Sequence, residues 1–213
     1  MTILKYIVNI LLITNLVSCK IRKFNQDTQD PIPIVLWHGM GDNCCHSFSM
    51  GAIQKMLEEQ IPNVHVHSLM IGTSPNEDTL NGFFMTVPHQ IEIACDLIQK
   101  DPILQKYGYN ALGFSQGGQF LRAVAQKCPQ GMKKLISFGG QHQGVYGLPK
   151  CAGNHLVCDY VRRLLNYGAY TSFVQDKLVQ AQYWHDPLDN EEYRSRSLFI
   201  ADINNDRDTK NET

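Results

Sequence analysis

Charge of either sign is scarce and nearly balanced in this sequence. Its 213 residues carry 19 Lys and Arg against 20 Asp and Glu, a formal net charge of −1 with only 18% charged residues. That excludes a broad electrostatic grip on nucleic acid. There is no internal repeat and no low-complexity tract. No CxxC pair occurs, and the cysteine spacings fit no zinc ribbon or finger, which argues against a structural metal. After the first 19 residues no apolar run has the length to cross about 30 Å of hydrocarbon. What remains is 43% apolar and evenly distributed, enough to build a core. At this length one domain is the leading organisation.

The first stretch reads as a signal peptide, residues 1–19. Lys5 precedes a mostly apolar run from Ile7 to Val17, broken by Asn9, Thr14 and Asn15 and closed by Val17-Ser18-Cys19. The run is short for a membrane span, and small residues stand where a peptidase cuts. A signal anchor and a lipoprotein acylated on Cys19 are the rival readings. Cleavage leaves 213 − 19 = 194 residues with six of the seven cysteines, Cys44, Cys45, Cys95, Cys128, Cys151 and Cys158. In an oxidising compartment six cysteines allow up to three disulfides, in any of 15 connectivities. One glycosylation sequon, Asn211-Glu212-Thr213, fits the same route.

Strand and helix signals alternate. Ile34-Val35-Leu36-Trp37 reads as a buried strand closed by the glycine turn His38-Gly39-Met40-Gly41. Ala52 to Ile61 has helical spacing, Val64 to Ile71 is a second strand, Pro75 to Gly82 reads as a polar loop, and Val87 to Ile98 is an amphipathic helix stopped at Asp101-Pro102. Tyr109 to Phe114 is a strand, a helix runs on to Cys128-Pro129, and Leu135 to Phe138 is expected as another buried strand. This order calls for a mostly parallel sheet with helices on both faces. Beyond Gly139-Gly140 the pattern changes to a glycine-rich loop, a cysteine-bounded loop and helical stretches near Tyr160 to Leu165 and Val174 to Ala181. We read residues 141–196 or so as a lid-like insertion.

Chemistry concentrates at Gly113-Phe114-Ser115-Gln116-Gly117, a G-x-S-x-G turn between an apolar strand and an amphipathic helix. That context points to a nucleophile elbow, which lifts the Ser115 hydroxyl above the sheet. The turn after the first strand would supply the complement, so the backbone N–H groups of Met40 and Gln116 are the candidate oxyanion donors. The remaining partners are harder to find. The downstream histidines are His142, His155 and His185, and no histidine follows Asp202, the best acid candidate by pattern. His65 and His67 alternate on one strand face with no third metal ligand evident.

Several segments together resemble the palmitoyl-protein thioesterases: Trp37 to Asp42, the vicinal Cys44-Cys45, Gly113 to Arg122, Gly139 to Gly144, and Tyr183-Trp184-His185-Asp186-Pro187. The likeness runs from about Pro31 to Asn204. It implies an α/β-hydrolase fold in a lysosomal or secreted enzyme that removes long-chain fatty acyl groups from cysteines of S-acylated proteins or peptides. It implies Ser115 as nucleophile, Met40 and Gln116 as oxyanion donors, and no cofactor or metal. It also implies bridges Cys44 to Cys45, Cys95 to Cys128 and Cys151 to Cys158. The first is doubtful on spacing alone, since neighbouring Cα atoms lie about 3.8 Å apart, below the usual range. The family's catalytic aspartate and histidine lie beyond the point matching Thr213, and Asp202 matches a non-catalytic position. Residues 20–213 are therefore expected to form an incomplete α/β-hydrolase domain, its last strands missing and its activity low. The rivals are a secreted serine esterase or lipase, and a non-catalytic acyl-binding fragment.

Mass spectrometry of the secreted protein checks the leader. Expression in a secretory host should yield a chain beginning at Lys20, whereas a retained leader or a lipidated Cys19 would establish one of the rivals.

Overall fold

The computed structural model describes residues 30–147 and 155–207. The leader, Cys151 and Asn211 fall outside them, as does the side chain of Cys158.

Among the described residues four parallel strands form one sheet in the order β2-β1-β3-β4: β1 Ile34–Trp37, β2 Val66–Ser68, β3 Tyr109–Phe114 and β4 Met132–Phe138. All four residues of β1 are buried, as an apolar run with both faces covered requires. Its register on β3 pairs Leu36 with Leu112 and Trp37 with Gly113, so the two strands end side by side. Helix α1 (Met50–Gln60) covers one face through Met50, Ile53 and Leu57 against Ile34, Leu36 and Leu112. The other face is covered by helices α3 (Val87–Lys100) and α5 (Gln116–Lys127), whose Ile91, Ala94, Phe120 and Val124 pack on Val35, Trp37, Tyr109 and Ala111. A disulfide from Cys95 in α3 to Cys128 at the end of α5 ties these two helices together. Closing a loop of that span stabilises by about 3–4 kcal/mol in the chain-entropy picture.

Three expectations need correction. Residues Pro75 to Gly82 are not a loop: helix α2 spans Pro75–Phe84. Ser74 accepts from the Glu77 N–H and Pro75 opens the first turn, so cap chemistry outweighed the polar composition. Pro102 does not merely end a helix; it begins α4 (Pro102–Tyr107), capped by Asp101 Oδ1 on the N–H groups of Ile103 and Leu104. The segment Leu135 to Phe138 is not buried. It lies in β4, the edge strand of the described sheet, where α1 does not reach and Ile136 and Phe138 are about half exposed.

The described residues from 155 onward are helical, with α6 (His155–Gly168), α7 (Ser172–Lys177), α8 (Val179–Gln182), α9 (Asn190–Arg196) and α10 (Ile200–Ile203). The break at Leu178 splits the single stretch expected from Val174 to Ala181. Val161, Leu165, Val174, Leu178 and Ala181 form a separate apolar cluster that packs on Phe83 and Phe84 of α2. The fully buried Asp78 holds α2 to the sheet, accepting from the N–H of Cys44 at 2.9 Å and of Ile71 at 2.8 Å.

Asp78→Ala should therefore cost roughly 2–6 kcal/mol, because it strands two buried donors at about 1–3 kcal/mol each. Denaturant unfolding measures this; a change below about 0.5 kcal/mol, the ordinary surface-substitution range, would contradict the role given to Asp78.

Candidate active site

Among the described residues three non-glycine residues have positive φ: Asn63, Ser115 and Asn205. Asparagine tolerates that region, whereas serine at φ 52° and ψ −119° is held there by its surroundings. The Ser115 N–H donates to the Phe138 carbonyl at 2.7 Å, and the Ser115 carbonyl accepts from Gly118 at 2.9 Å. The flanking glycines are required by contact. A Cβ on Gly117 would lie 2.4 Å from the Trp37 oxygen and 2.5 Å from that of His38; one on Gly113 would lie 2.3 Å from the Gly117 oxygen. The first turn of α5 thus sits directly on the last carbonyls of β1.

That contact brings the turn after β1 to the serine. A Cβ on Gly39 would be 3.4 Å from Ser115 Cβ, and the turn is closed by Asp42 N–H to Gly39 O at 3.3 Å. The buried His38 ring bonds the Gly39 carbonyl through Nδ1 at 2.8 Å, while Nε2 lies 3.5 Å from Asp78, at ion-pair rather than hydrogen-bonding range. Gln116, at the start of α5, belongs to the first turn whose N–H groups lack intrahelical partners and carry the positive end of the helix dipole. Its side chain is locked. Oε1 accepts from the Tyr183 hydroxyl at 3.0 Å and from Gln180 at 3.2 Å, and Nε2 donates to the Gly82 carbonyl at 3.0 Å. Burial pushes the Tyr183 hydroxyl pKa up, keeping it a neutral donor.

Ser115 Oγ accepts from Gln141 Nε2 at 2.8 Å. An amide is no base, and the described histidine side chains are engaged elsewhere. His142 Nε2 contacts Ser137 Oγ at 2.9 Å; burial first, then the Arg122 charge, hold its pKa below the ordinary imidazole value. His185 bonds the Gln143 carbonyl at 2.7 Å and stacks on Tyr193 at 3.8 Å, and the side chain of His155 is outside the described set. Asp202 pairs with Lys127 at 3.2 Å on the surface. The Cys44–Cys45 bridge is present, with a Cα separation of 3.8 Å.

Sequence reasoning missed Gln141 and the buried glutamines. Gln175, Gln180 and Gln182 are all buried; Gln182 accepts from Val87 N–H at 2.7 Å, and Gln175 spans the carbonyls of Ala169 and Ala181. The one signal was Gln175 and Gln180 falling inside the helical stretch Val174 to Ala181, which glutamine polarity obscured. His65 and His67 also have the third neighbour that seemed to be missing: Asp101 Oδ2 lies 2.8 Å from each.

A parallel sheet whose central strand passes through a strained G-x-S-x-G turn into a covering helix defines the α/β-hydrolase class of fold. The palmitoyl protein thioesterase family matches residues 33–213, and the chain belongs to that family. It is 57% identical over 176 residues to palmitoyl-protein thioesterase 1 of Caenorhabditis elegans, covering 82% of this chain and 59% of that protein. It is 35% identical to palmitoyl-protein thioesterase 3 of Dictyostelium discoideum, over 85% of this chain and 58% of the relative. The chain thus spans about three-fifths of these two relatives. Among solved structures, a lipase-esterase related protein from Clostridium acetobutylicum ATCC 824 is similar with a TM-score of 0.41 and 19% identity, over 65% of this chain and 50% of that one.

Gly117→Ala should destabilise by at least about 1–3 kcal/mol, since the new methyl meets fixed backbone oxygens. Gly139→Ala, where no atom lies within 4 Å, should cost only its positive-φ strain of about 1–2 kcal/mol. Paired thermal melts compare the two, and a Gly117→Ala loss below about 1 kcal/mol would contradict the close contact at Gly117.

Proposed function

We propose that this chain carries the nucleophile and oxyanion half of an enzyme that hydrolyses long-chain fatty acyl thioesters on protein cysteines. Ser115 attacks the thioester carbonyl, and the N–H groups of Met40 and Gln116 stabilise the oxyanion. A cysteine thiol of pKa about 8.5 departs more readily than an alkoxide, so leaving-group protonation demands less than in an ester. The observation that carries this reading is the strained Ser115, set against the Gly39-Met40 turn in a chain of the thioesterase family. Acyl-chain recognition would draw on about 0.8 kcal/mol per buried CH₂. Residues 141–196 or so are the proposed lid-like insertion over the acyl chain. In support, α6 buries Val161 and Leu165 on one face while Leu156 and Tyr167 stand exposed on the opposite one. Action in the lysosome or outside the cell follows from the proposed leader, from the proposed glycosylation at Asn211 and from the name of a 25% identical human relative, lysosomal thioesterase PPT2, 57% of whose length is covered. The third proposed bridge, Cys151 to Cys158, belongs to the same oxidising route.

Because among the described residues Ser115 Oγ meets an amide and no imidazole, the 213-residue chain by itself should turn over slowly. A serine with no base and orienting acid in reach achieves only about 10³–10⁴ over the uncatalysed rate. Fusing the part of the C. elegans relative that this chain does not cover should restore hydrolysis of a palmitoyl thioester. Ser115→Ala in the fusion should abolish it. Turnover that survives Ser115→Ala would overturn the nucleophile assignment. Preference for an oxyester in a side-by-side assay would favour a serine esterase or lipase, and acyl-probe binding without fluorophosphonate labelling of Ser115 would favour a non-catalytic binder.

A further inference from the structure

The ends of the sheet opposite Ser115 hold a second constellation. His65 immediately precedes β2 and His67 lies within it, so the two side chains share one face of an outer strand. Val66 between them points into the core with α1. The histidines face the junction of α3 and α4, where Asp101 sits. Asp101 Oδ2 is 2.8 Å from His65 Nε2 and 2.8 Å from His67 Nδ1, and the candidate ligand atoms of all three residues lie within 4.8 Å of one another. Oδ1 is held by two backbone N–H groups at 2.9 and 3.2 Å, which fixes the carboxylate plane. The imidazoles are a quarter to a third exposed and the carboxylate 10%, so an ion from solvent can reach a largely prebuilt corner. A shallow cavity of about 410 Å³ opens beside His65.

We propose that His65, His67 and Asp101 bind a divalent transition-metal ion of the zinc class. Two imidazoles and one carboxylate are a donor set that zinc accepts, with solvent in the fourth position. Bonds of about 2.0–2.2 Å at tetrahedral angles place ligand atoms roughly 3.3–3.6 Å apart. The present 2.8 Å contacts would have to open by about 0.5–0.8 Å to that spacing, and all three ligand atoms already lie within 4.8 Å of one another. The ionised carboxylate only accepts, so without metal each facing ring nitrogen carries a proton. On binding, that nitrogen gives its lone pair to the ion and the proton moves to the other ring nitrogen, leaving both imidazoles neutral. The backbone bonds to Oδ1 would orient the ligand from outside, as supporting contacts do in metal sites. The ion would tie the outer strand β2 to the α3–α4 junction. It would act on stability rather than on the reaction, because the cluster lies at the other ends of the strands from Ser115.

The test uses the whole 213-residue chain, stripped with a chelator and titrated with zinc against a chromophoric zinc indicator. One ion per chain should bind and raise the melting temperature. The double variant His65→Gln/His67→Gln should bind at least about tenfold more weakly, the lower bound for losing even a supporting group. His89→Gln, at the opposite end of α3 from Asp101, should leave binding unchanged. In the wild-type chain, ¹⁵N resonances of the His65 and His67 rings should shift with zinc, a readout independent of whether a variant folds. Absence of stoichiometric uptake, uptake unaltered in a folded double variant, or ring resonances that do not respond would overturn the proposal. None of these outcomes depends on thioesterase activity.

Discussion

The backbone of Gly117 rests on the final carbonyls of β1, and the arrangement around Ser115 depends on that contact. At 2.4 Å from Trp37 O there is no room for a methyl group, so the first turn of α5 can settle there only as glycine. Once it does, β3 must turn sharply to enter the helix, and Ser115 takes up the cost as a positive φ. The same contact brings the Gly39-Met40 turn beside the serine. Sheet pairing, elbow strain and placement of two candidate donors therefore have one steric origin.

Buried polar side chains form a second layer of organisation. Asp78 binds the chain after β1, the chain after β2 and helix α2 at once, through two backbone donors and a nearby His38. Gln116 joins α5 to the Gly82 carbonyl and to Tyr183. Gln175 and Gln182 continue the pattern into the C-terminal helices. Each such group, desolvated, is tolerable only with its partners in place, so a network of this kind specifies one arrangement more sharply than apolar contact alone. It also explains why Ser115 meets an amide: the loop from Gly139 delivers Gln141, while the neighbouring His142 turns to Ser137.

Legibility followed the strength of local signals. The apolar run of β1 and the G-x-S-x-G turn with its flanking glycines were readable because period and punctuation agree there. Helix α2 was misread because its polar composition hid a serine cap followed by proline. The strand at Leu135 to Phe138 was found but wrongly buried, since apolar content says nothing about whether a helix layer reaches that far. Buried glutamines escaped notice because the residue type is usually exposed and nothing local marks an exception.

By itself the sequence determined the alternation of strands and helices, the turn that strains Ser115 and the resemblance to thioesterases, all properties of residues close together in the chain. Only the tertiary structure decided which groups meet across it: Gln141 at Ser115, Asp78 beneath two loops, Asp101 between His65 and His67. The physical reason is range. Backbone preference and hydrophobic period act over a few neighbours, whereas all of these contacts except Asp78 to Ile71, seven positions apart, join residues 26 to 36 positions apart, and their partners are selected by packing.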